Sequence, residues 1–298
     1  MSEKELQVEK PESEMKAIWE SLKENKTALA GMFIVIFLIL VALVTWIADL
    51  AGIQILPYNP DMSSMSESFM TPCAQHWFGT DELGRDIFSR VIDGTKISLF
   101  VGFAVVVFSA GIGVIIGAFA GYKGGAVDTV IMRFMDIMLS TPSILLAITL
   151  MAALGKGMDK AIIAIGVVSI PEYARITRGS VLSAKESDYA QAAKVVGNKD
   201  KRIIFKHILP NIISPIIVRA TLGVSSAIMD TAALGFLGLG VQPPMAEWGD
   251  MLGRAKGYIF SAPYTLIFPG IAITLTVLAF NMFGDGLNDA LDPKSRKR

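Results

Sequence analysis

Long apolar runs constrain the fold of this 298-residue chain more than any other feature of its sequence. The run from Ala28 to Ala48 carries no charged side chain, and it is long enough to cross the roughly 30 Å hydrocarbon core of a bilayer as one helix. The runs from Ile97 to Tyr122 and from Pro263 to Gly284 have the same character. The sequence therefore predicts an all-α, polytopic membrane protein.

Three further apolar runs are interrupted by proline or by charged residues. They are Ile137 to Gly155 with Pro142, Ala161 to Ile170 ending at Pro171, and Asn211 to Gly240 with Arg219 and Asp230. Such interruptions are tolerated in spans where neighbouring helices or a water-filled cavity satisfy the polar groups. Together the runs predict about six transmembrane helices.

Basic residues predict the orientation of the chain, because cytoplasmic segments of membrane proteins carry an excess of lysine and arginine. They lie in the leader and the tail, at Lys16, Lys23, Lys26, Lys294, Arg296, Lys297 and Arg298. With six spans, both termini then face the cytoplasm. The predicted division is 1–27 cytoplasmic leader, 28–50 first transmembrane helix, 51–96 extracytoplasmic segment, 97–285 core with five transmembrane helices, and 286–298 cytoplasmic basic tail. Gly284 and Gly286 are predicted to turn the chain after the last span.

Composition argues against several classes of protein. The 27 basic and 27 acidic residues balance, which gives no reason to expect a nucleic-acid partner. The single cysteine, Cys73, and two distant histidines give no support for disulfides or a metal site. The sequence contains no phosphate-binding loop and no hydrolase or metalloprotease motif. We therefore expect a non-catalytic chain that binds no cofactor of its own.

The second apolar run carries glycines at four-residue spacing, Gly113, Gly117 and Gly121. Small residues at this spacing let two helix backbones approach closely. The spacing is compatible with packing inside the chain and equally with packing against another subunit.

A polar insert at 186–210 separates two of the apolar runs. Asp188 is a good helix N-cap, and Gln191 three residues later can complete a capping box. Tyr189, Ala192, Ala193 and Val196 then form a narrow apolar stripe, and Gly197 provides a C-terminal stop. Asp200 is predicted to cap a second short helix, with Pro210 starting the next membrane helix. Such a pair could lie along the membrane surface or bind another protein.

The insert also resembles a known motif. Gln191-Ala192-Ala193, Gly197 and Leu209-Pro210 are similar to the EAA motif of bacterial ABC importer permeases, with Gln191 in place of the motif's Glu. His207 stands where many relatives have an aliphatic residue, and KHILPN is similar to the peptide-importer branch. The resemblance extends over nearly the whole chain to C-type permeases of dipeptide, oligopeptide and nickel importers. Its longest stretches are HWFGTDELGRDIFSRVIDGTKISL, GYKGGAVDTVIMRFMDIMLSTPS, AALGFLGLGVQPPMAEWGDML and AFNMFGDGLNDALDP.

The resemblance implies the type I ABC importer permease fold, with 186–210 as the cytoplasmic coupling loop that docks on an ATPase. The residues it assigns to coupling are Tyr189, Gln191, Ala192, Ala193, Val196, Gly197, His207, Leu209 and Pro210. It implies as partners a second homologous permease, two ABC ATPases that carry ATP and Mg, an extracytoplasmic substrate-binding protein and membrane lipid. The implied cargo is a dipeptide or short peptide, with nickel or another chelate as the alternative.

Polar residues inside spans are candidates for lining a substrate path. They are Asp136, Arg219, Asp230 and Asn281. Arg219 and Asp230 are 11 residues apart, about three helical turns, and so share nearly one face. The same residues could instead pair with a partner permease or cap broken helices. A proton-coupled carrier with Asp136 or Asp230 as relay, and a non-transporting scaffold, are alternatives that the polar insert disfavours.

Overall fold

The computed structural model describes residues 14–291, with side chains from Ile18 onward. The basic tail residues Lys294, Arg296, Lys297 and Arg298, and residues 1–13 of the leader, lie outside the described part. Between residues 14 and 291 the chain is almost entirely helical. Its α-helices are α1 Glu14–Glu24, α2 Lys26–Ala51, α3 Ile87–Lys123, α4 Gly125–Ser140, α5 Ser143–Leu154, α6 Met158–Ala184, α7 Asp188–Val195, α8 Asp200–Arg202, α9 Ile213–Phe236, α10 Trp248–Ala255 and α11 Tyr264–Leu291.

Four helical segments of the described chain are long and apolar enough to cross a membrane: Lys26–Ala51, Ile87–Lys123, Asp200–Phe236 and Tyr264–Leu291. A fifth candidate is the pair α4 and α5, bent by 94° at a short break. The break falls at Thr141, which is extended (φ −96°, ψ 134°) because the following Pro142 disfavours a helical conformation there. Length and composition thus support four or five of the expected six spans.

Helix α6 is the expected sixth span that this test of length and composition leaves out. It is 27 residues long, but its second half carries Glu172, Arg175 and Arg178. The apolar run ends at Pro171, but the helix does not, because α6 continues through the proline to Ala184. Packing against neighbouring helices can hold a helix together across the single hydrogen bond that a proline removes.

The glycines of α3 lie against α6 within the same chain. A Cβ atom built on Gly113 would lie 2.6 Å from the Tyr173 Cβ and 2.7 Å from the Ile170 carbonyl oxygen. One built on Gly121 would lie 2.9 Å from the Arg178 carbonyl oxygen, and Gly117 faces Ala174 in the same way. Of the two kinds of packing compatible with the spacing, the structure contains the intramolecular one.

Two ion pairs connect the broken helix to α6. Arg178 donates from Nε and Nη2 to the two carboxylate oxygens of Asp128, each at 2.5 Å. Arg175 donates to Asp136 at 2.7 Å on an exposed surface. The main hydrophobic core lies between α3, α5, α6, α9 and α11, where Val105, Ile165 and Phe280 are buried together.

The last helix does not turn where the sequence predicted. Helix α11 continues through Gly284 and Gly286 to Leu291. Both glycines are buried: Gly284 faces the Leu222 side chain and Gly286 faces Ala28. The small residues therefore permit close helix approach rather than ending the helix.

The end of the bundle that carries α10 is tied together by polar contacts. The Trp248 indole donates to the Val91 carbonyl oxygen at 2.9 Å, and Asp86 caps α3 by accepting from the Ser89 amide at 2.7 Å. The fully buried Glu247 accepts from the amides of Gly249 and Asp250, each at 2.8 Å. Removal from water raises the pKa of Glu247 to about 7 in spite of these two bonds.

Candidate functional site

The polar insert folds as one short helix followed by a continuous helical path into the next span. Helix α7 ends at Val195, just before the predicted stop at Gly197, whose φ of +85° is the left-handed conformation that favours glycine. Asn198 closes this end by donating from its backbone and from Nδ2 to the Ala193 carbonyl oxygen, at 3.3 and 2.9 Å.

The start of α7 differs from the prediction. Ser187, and not Asp188, occupies the N-cap position, and its hydroxyl donates back to the Ala184 carbonyl oxygen. Gln191 donates to the Glu186 carbonyl oxygen at 3.0 Å. The predicted capping box of Asp188 and Gln191 is therefore absent, because the side chains of Ser187 and Gln191 both bond to the turn that precedes the helix.

Helix α7 has an anchored face and an exposed face. Ala190 and Ala193 are buried in a cluster with Ala118, Val181, Ile203, Ile204 and Ile208. The opposite face presents Tyr189, Ala192, Val195 and Val196, and the two valines are 87% and 82% exposed. Ala193 thus belongs to the anchored face and not to the predicted surface stripe, while Val195 extends that stripe. Ala193 lies at the border between the two faces, so helical periodicity alone could not show to which face it belongs.

The second half of the insert is not a separate helix. The path from Asp200 to Phe236 is continuous, with a π-helical stretch Ile203–Ile208 and a 3-10 stretch Leu209–Ile212 around Pro210. Such changes of pitch accommodate the missing proline amide. Asn211 Nδ2 donates to the His207 carbonyl oxygen at 2.6 Å. Pro210 is exposed, and His207 and Leu209 are half-buried.

Asp200 fixes this segment to the end of α3. Its carboxylate accepts from the Lys123 ammonium at 2.7 Å and from the Tyr122 hydroxyl at 3.3 Å. The segment that follows α7 is therefore held to α3 by hydrogen bonds and continues directly into α9.

A polar cavity of about 350 Å³ lies where α4 and α5 break. Helices α3, α6 and α9 form its other walls. Its polar lining residues are Ser109, Thr141, Ser143, Ser169, Glu172, Tyr173, Arg219, Ser226 and Asp230. A cavity of this polarity inside a membrane-spanning bundle suits a hydrated or charged solute.

The structure brings together two of the four predicted path residues and separates the others. Arg219 and Asp230 both line the cavity. Asp136 is paired with Arg175 on an exposed surface outside it. Asn281 accepts from the Ser225 hydroxyl at 2.6 Å and lines a different, mainly apolar cleft of about 730 Å³.

Glu172 is a cavity residue that the sequence prediction missed. It forms an ion pair with Arg219, whose guanidinium also lies 5.9 Å from the centre of the Tyr173 ring. The available signal was a carboxylate directly after Pro171. Ending the span at that proline placed Glu172 outside the membrane and so concealed it.

A helical bundle with a broken span, a polar cavity beside the break and a helical insert at one end is the arrangement expected of a membrane transport permease. The chain belongs to the family of binding-protein-dependent transport system inner membrane components, whose family model matches residues 113–297. A second model, the N-terminal transmembrane domain of oligopeptide transport permease C, matches residues 13–72.

Similar proteins share most of the chain. The dipeptide transport system permease protein DppC of Alkalihalophilus pseudofirmus is 49% identical over 278 residues, which cover 93% of this chain and 89% of the relative. The di/tripeptide transport system permease protein DppC of Pseudomonas aeruginosa is 44% identical over 290 residues, covering 95% and 93%.

The fold is that of an ABC importer permease. A chain of the MetNI methionine ABC transporter, solved in inward-facing conformations, matches with a TM-score of 0.57 at 19% identity. The match covers 68% of this chain and 96% of that one. This confirms the predicted fold class, and the family confirms the predicted role as a transport permease.

Proposed function

We propose that this chain forms half of the translocation path of an ATP-driven ABC importer for dipeptides or short peptides. Relatives at 49% and 44% identity carry the names of dipeptide and di/tripeptide permeases. A cavity with carboxylates and a guanidinium, Glu172, Asp230 and Arg219, suits a substrate that carries an ammonium and a carboxylate.

The exposed face of α7 is where the ATPases dock in this proposal, and its exposure is the observation that carries it. Val195 and Val196 are almost fully exposed although the other face of the same short helix is buried. An unoccupied apolar face on an anchored helix is suited to binding another protein. ATP and Mg remain on the ATPases, and this chain contributes contacts but no catalytic group.

Coupling then follows from binding energy. The two nucleotide states of the ATPases must bind α7 with different free energies, because a ligand can shift an equilibrium only by its differential affinity. Since Asp200 fixes the insert to α3 and the continuous path from Asp200 enters α9, movement of α7 is passed to two cavity walls.

The proposed partners are a second homologous permease, two ABC ATPases, an extracytoplasmic substrate-binding protein and the surrounding lipid. The proposed location is the inner or plasma membrane of a prokaryote, with both termini and segment 186–210 in the cytoplasm. Basic residues in and beside this segment support that orientation, among them Lys185, Lys194, Lys199, Lys201, Arg202 and Lys206.

A surface substitution tests the docking face. Val196→Glu should leave the purified chain as thermally stable as the wild type but reduce the ATPase that co-purifies with it by at least tenfold, because a charge is buried unpaired at the contact. Met62→Glu, which replaces a similarly exposed apolar side chain in the segment before α3, is the matched control. Full ATPase recovery with Val196→Glu would refute the docking assignment.

Uptake into proteoliposomes tests the transport assignment. The complete complex should accumulate a labelled dipeptide only when ATP is present on the ATPase side and the binding protein on the other. Uptake of a nickel chelate but not of peptides would show that the cargo is the alternative one, a metal chelate. Uptake by this chain alone, abolished by a protonophore and indifferent to ATP, would contradict the ABC mechanism.

A further inference from the structure

The charges that line the cavity do not balance. Arg219 is its only cationic lining residue among the described residues, and Glu172 already forms an ion pair with it. Asp230 also lines the cavity, and its carboxylate makes no hydrogen bond or ion pair with any residue between 14 and 291. One carboxylate therefore remains without a cationic partner among the described side chains.

An unpaired carboxylate inside a span is costly, so a counter-cation is expected there. The surroundings of Asp230 suit a small polar cation that enters through the cavity. Ser226 lies one helical turn before Asp230 and, like Met229, lines the same cavity. Asp230 is half-buried, so its carboxylate remains accessible from the cavity.

The spacing on α9 separates Asp230 from Arg219. Eleven residues of helix correspond to about 16 Å of rise, whereas an extended dipeptide spans about 7 Å. The Arg219 side chain also leans toward the helix N-terminus, away from Asp230, and is held by Glu172. A single dipeptide is therefore too short to bridge the two groups, and each is a separate position along the cavity.

We propose that Asp230 binds the free α-ammonium group of the transported peptide, at a position in the cavity distinct from the Glu172–Arg219 pair. This inference rests on the peptide assignment made above. Helix α9 runs from the coupling insert toward α10, so Asp230 occupies the part of the cavity nearer α10 and Arg219 the part nearer the insert. The peptide's amino end is recognised by charge at Asp230, and its carboxylate needs no partner there.

The test uses the complete complex in proteoliposomes with dialanine as the probe, at a concentration below half-saturation. Asp230→Asn should lower the uptake rate by about tenfold or more, because a hydrogen bond to a charged group is replaced by a neutral one. Asp230→Glu should restore most of the rate, since it keeps the charge. Asp159→Asn, which removes an exposed carboxylate from the first turn of α6, should behave as the wild type.

The outcomes separate this inference from the assignment on which it rests. Wild-type complex that takes up no dialanine would refute the peptide function and the inference with it. Wild-type uptake that Asp230→Asn leaves unchanged would overturn the inference alone. Loss of the second permease from the Asp230→Asn complex would mean that Asp230 pairs with that subunit, and equal loss in the Asn and Glu variants would indicate a packing role. Either result would also overturn it.

Discussion

Gly113→Ala is the change that most directly tests the packing of α3 against α6. The added Cβ atom would lie 2.6 Å from the Tyr173 Cβ and 2.7 Å from the Ile170 carbonyl oxygen. The shorter of these falls about 0.8 Å short of ordinary contact, which begins near 3.4 Å. A carbonyl oxygen and a Cβ atom cannot move by changing a rotamer, so the two helices must separate.

The expected cost follows from overpacking. Forcing an extra carbon into a packed interior typically costs about 1–3 kcal/mol of stability. We expect a cost near the upper end for Gly113→Ala, because the atoms that the new Cβ meets include backbone atoms of α6. The unfolding entropy of a chain of 298 residues is about 0.6 kcal/mol/K, so about 3 kcal/mol corresponds to a fall in Tm of roughly 5 °C. Separation of α3 from α6 would also displace Tyr173, which lines the cavity, so the uptake rate should fall as well.

Gly111→Ala is the matched control because it makes the same substitution in the same helix. A Cβ atom built on Gly111 meets nothing within 4 Å, and alanine is the better helix former. We expect its Tm, measured in detergent by the loss of the monodisperse chromatographic peak on heating, to equal or exceed that of the wild type. Equal Tm values for the Gly113→Ala and Gly111→Ala variants would refute the close-packing argument.

Three further outcomes test other parts of the structure. Burial raises the pKa of Glu247 from 4.5 to about 7, so the folded chain keeps a proton that the unfolded chain releases. Stability should therefore fall by about 3 kcal/mol as the pH rises from about 4.5 to 7. Glu247→Gln should flatten the dependence of Tm on pH in this window, and an unchanged slope would contradict the burial argument. Ala193→Asp should lower the Tm of the purified chain by several degrees because it puts a charge among buried isoleucines. Ala192→Asp should leave Tm unchanged and weaken ATPase binding, because Ala192 is exposed. If Ala192→Asp lowered Tm and Ala193→Asp weakened only ATPase binding, the assignment of the two faces would be wrong. Gly197→Ala should lower the stability of the chain by about 1 kcal/mol through the left-handed φ alone, since no atom crowds the added Cβ. It should also speed hydrogen exchange of the backbone amides in the last turn of α7. Unchanged exchange would show that this turn accommodates alanine without strain.

Features that depend on neighbouring residues in the sequence were predictable. The membrane-embedded class follows from uninterrupted apolar runs such as Ala28 to Ala48, because span formation depends on local length and hydropathy. The end of α7 just before Gly197 follows from the conformational freedom of glycine. Arg219 and Asp230 lie on one wall of the cavity because helical period places residues 11 apart on nearly one face.

Features that depend on contacts between distant helices were decided only by the tertiary structure. The sequence alone could not show that Glu172 neutralises Arg219, that Ala193 turns inward, or that α6 continues past Pro171. Each of these results depends on the register and rotation of one helix against another, and one helix's sequence does not specify the partner atoms it will meet. The sequence thus determined a helical membrane protein with an amphipathic insert. Packing between helices determined which face of that insert remains exposed and which carboxylate in the cavity has no partner among the residues that the structure describes.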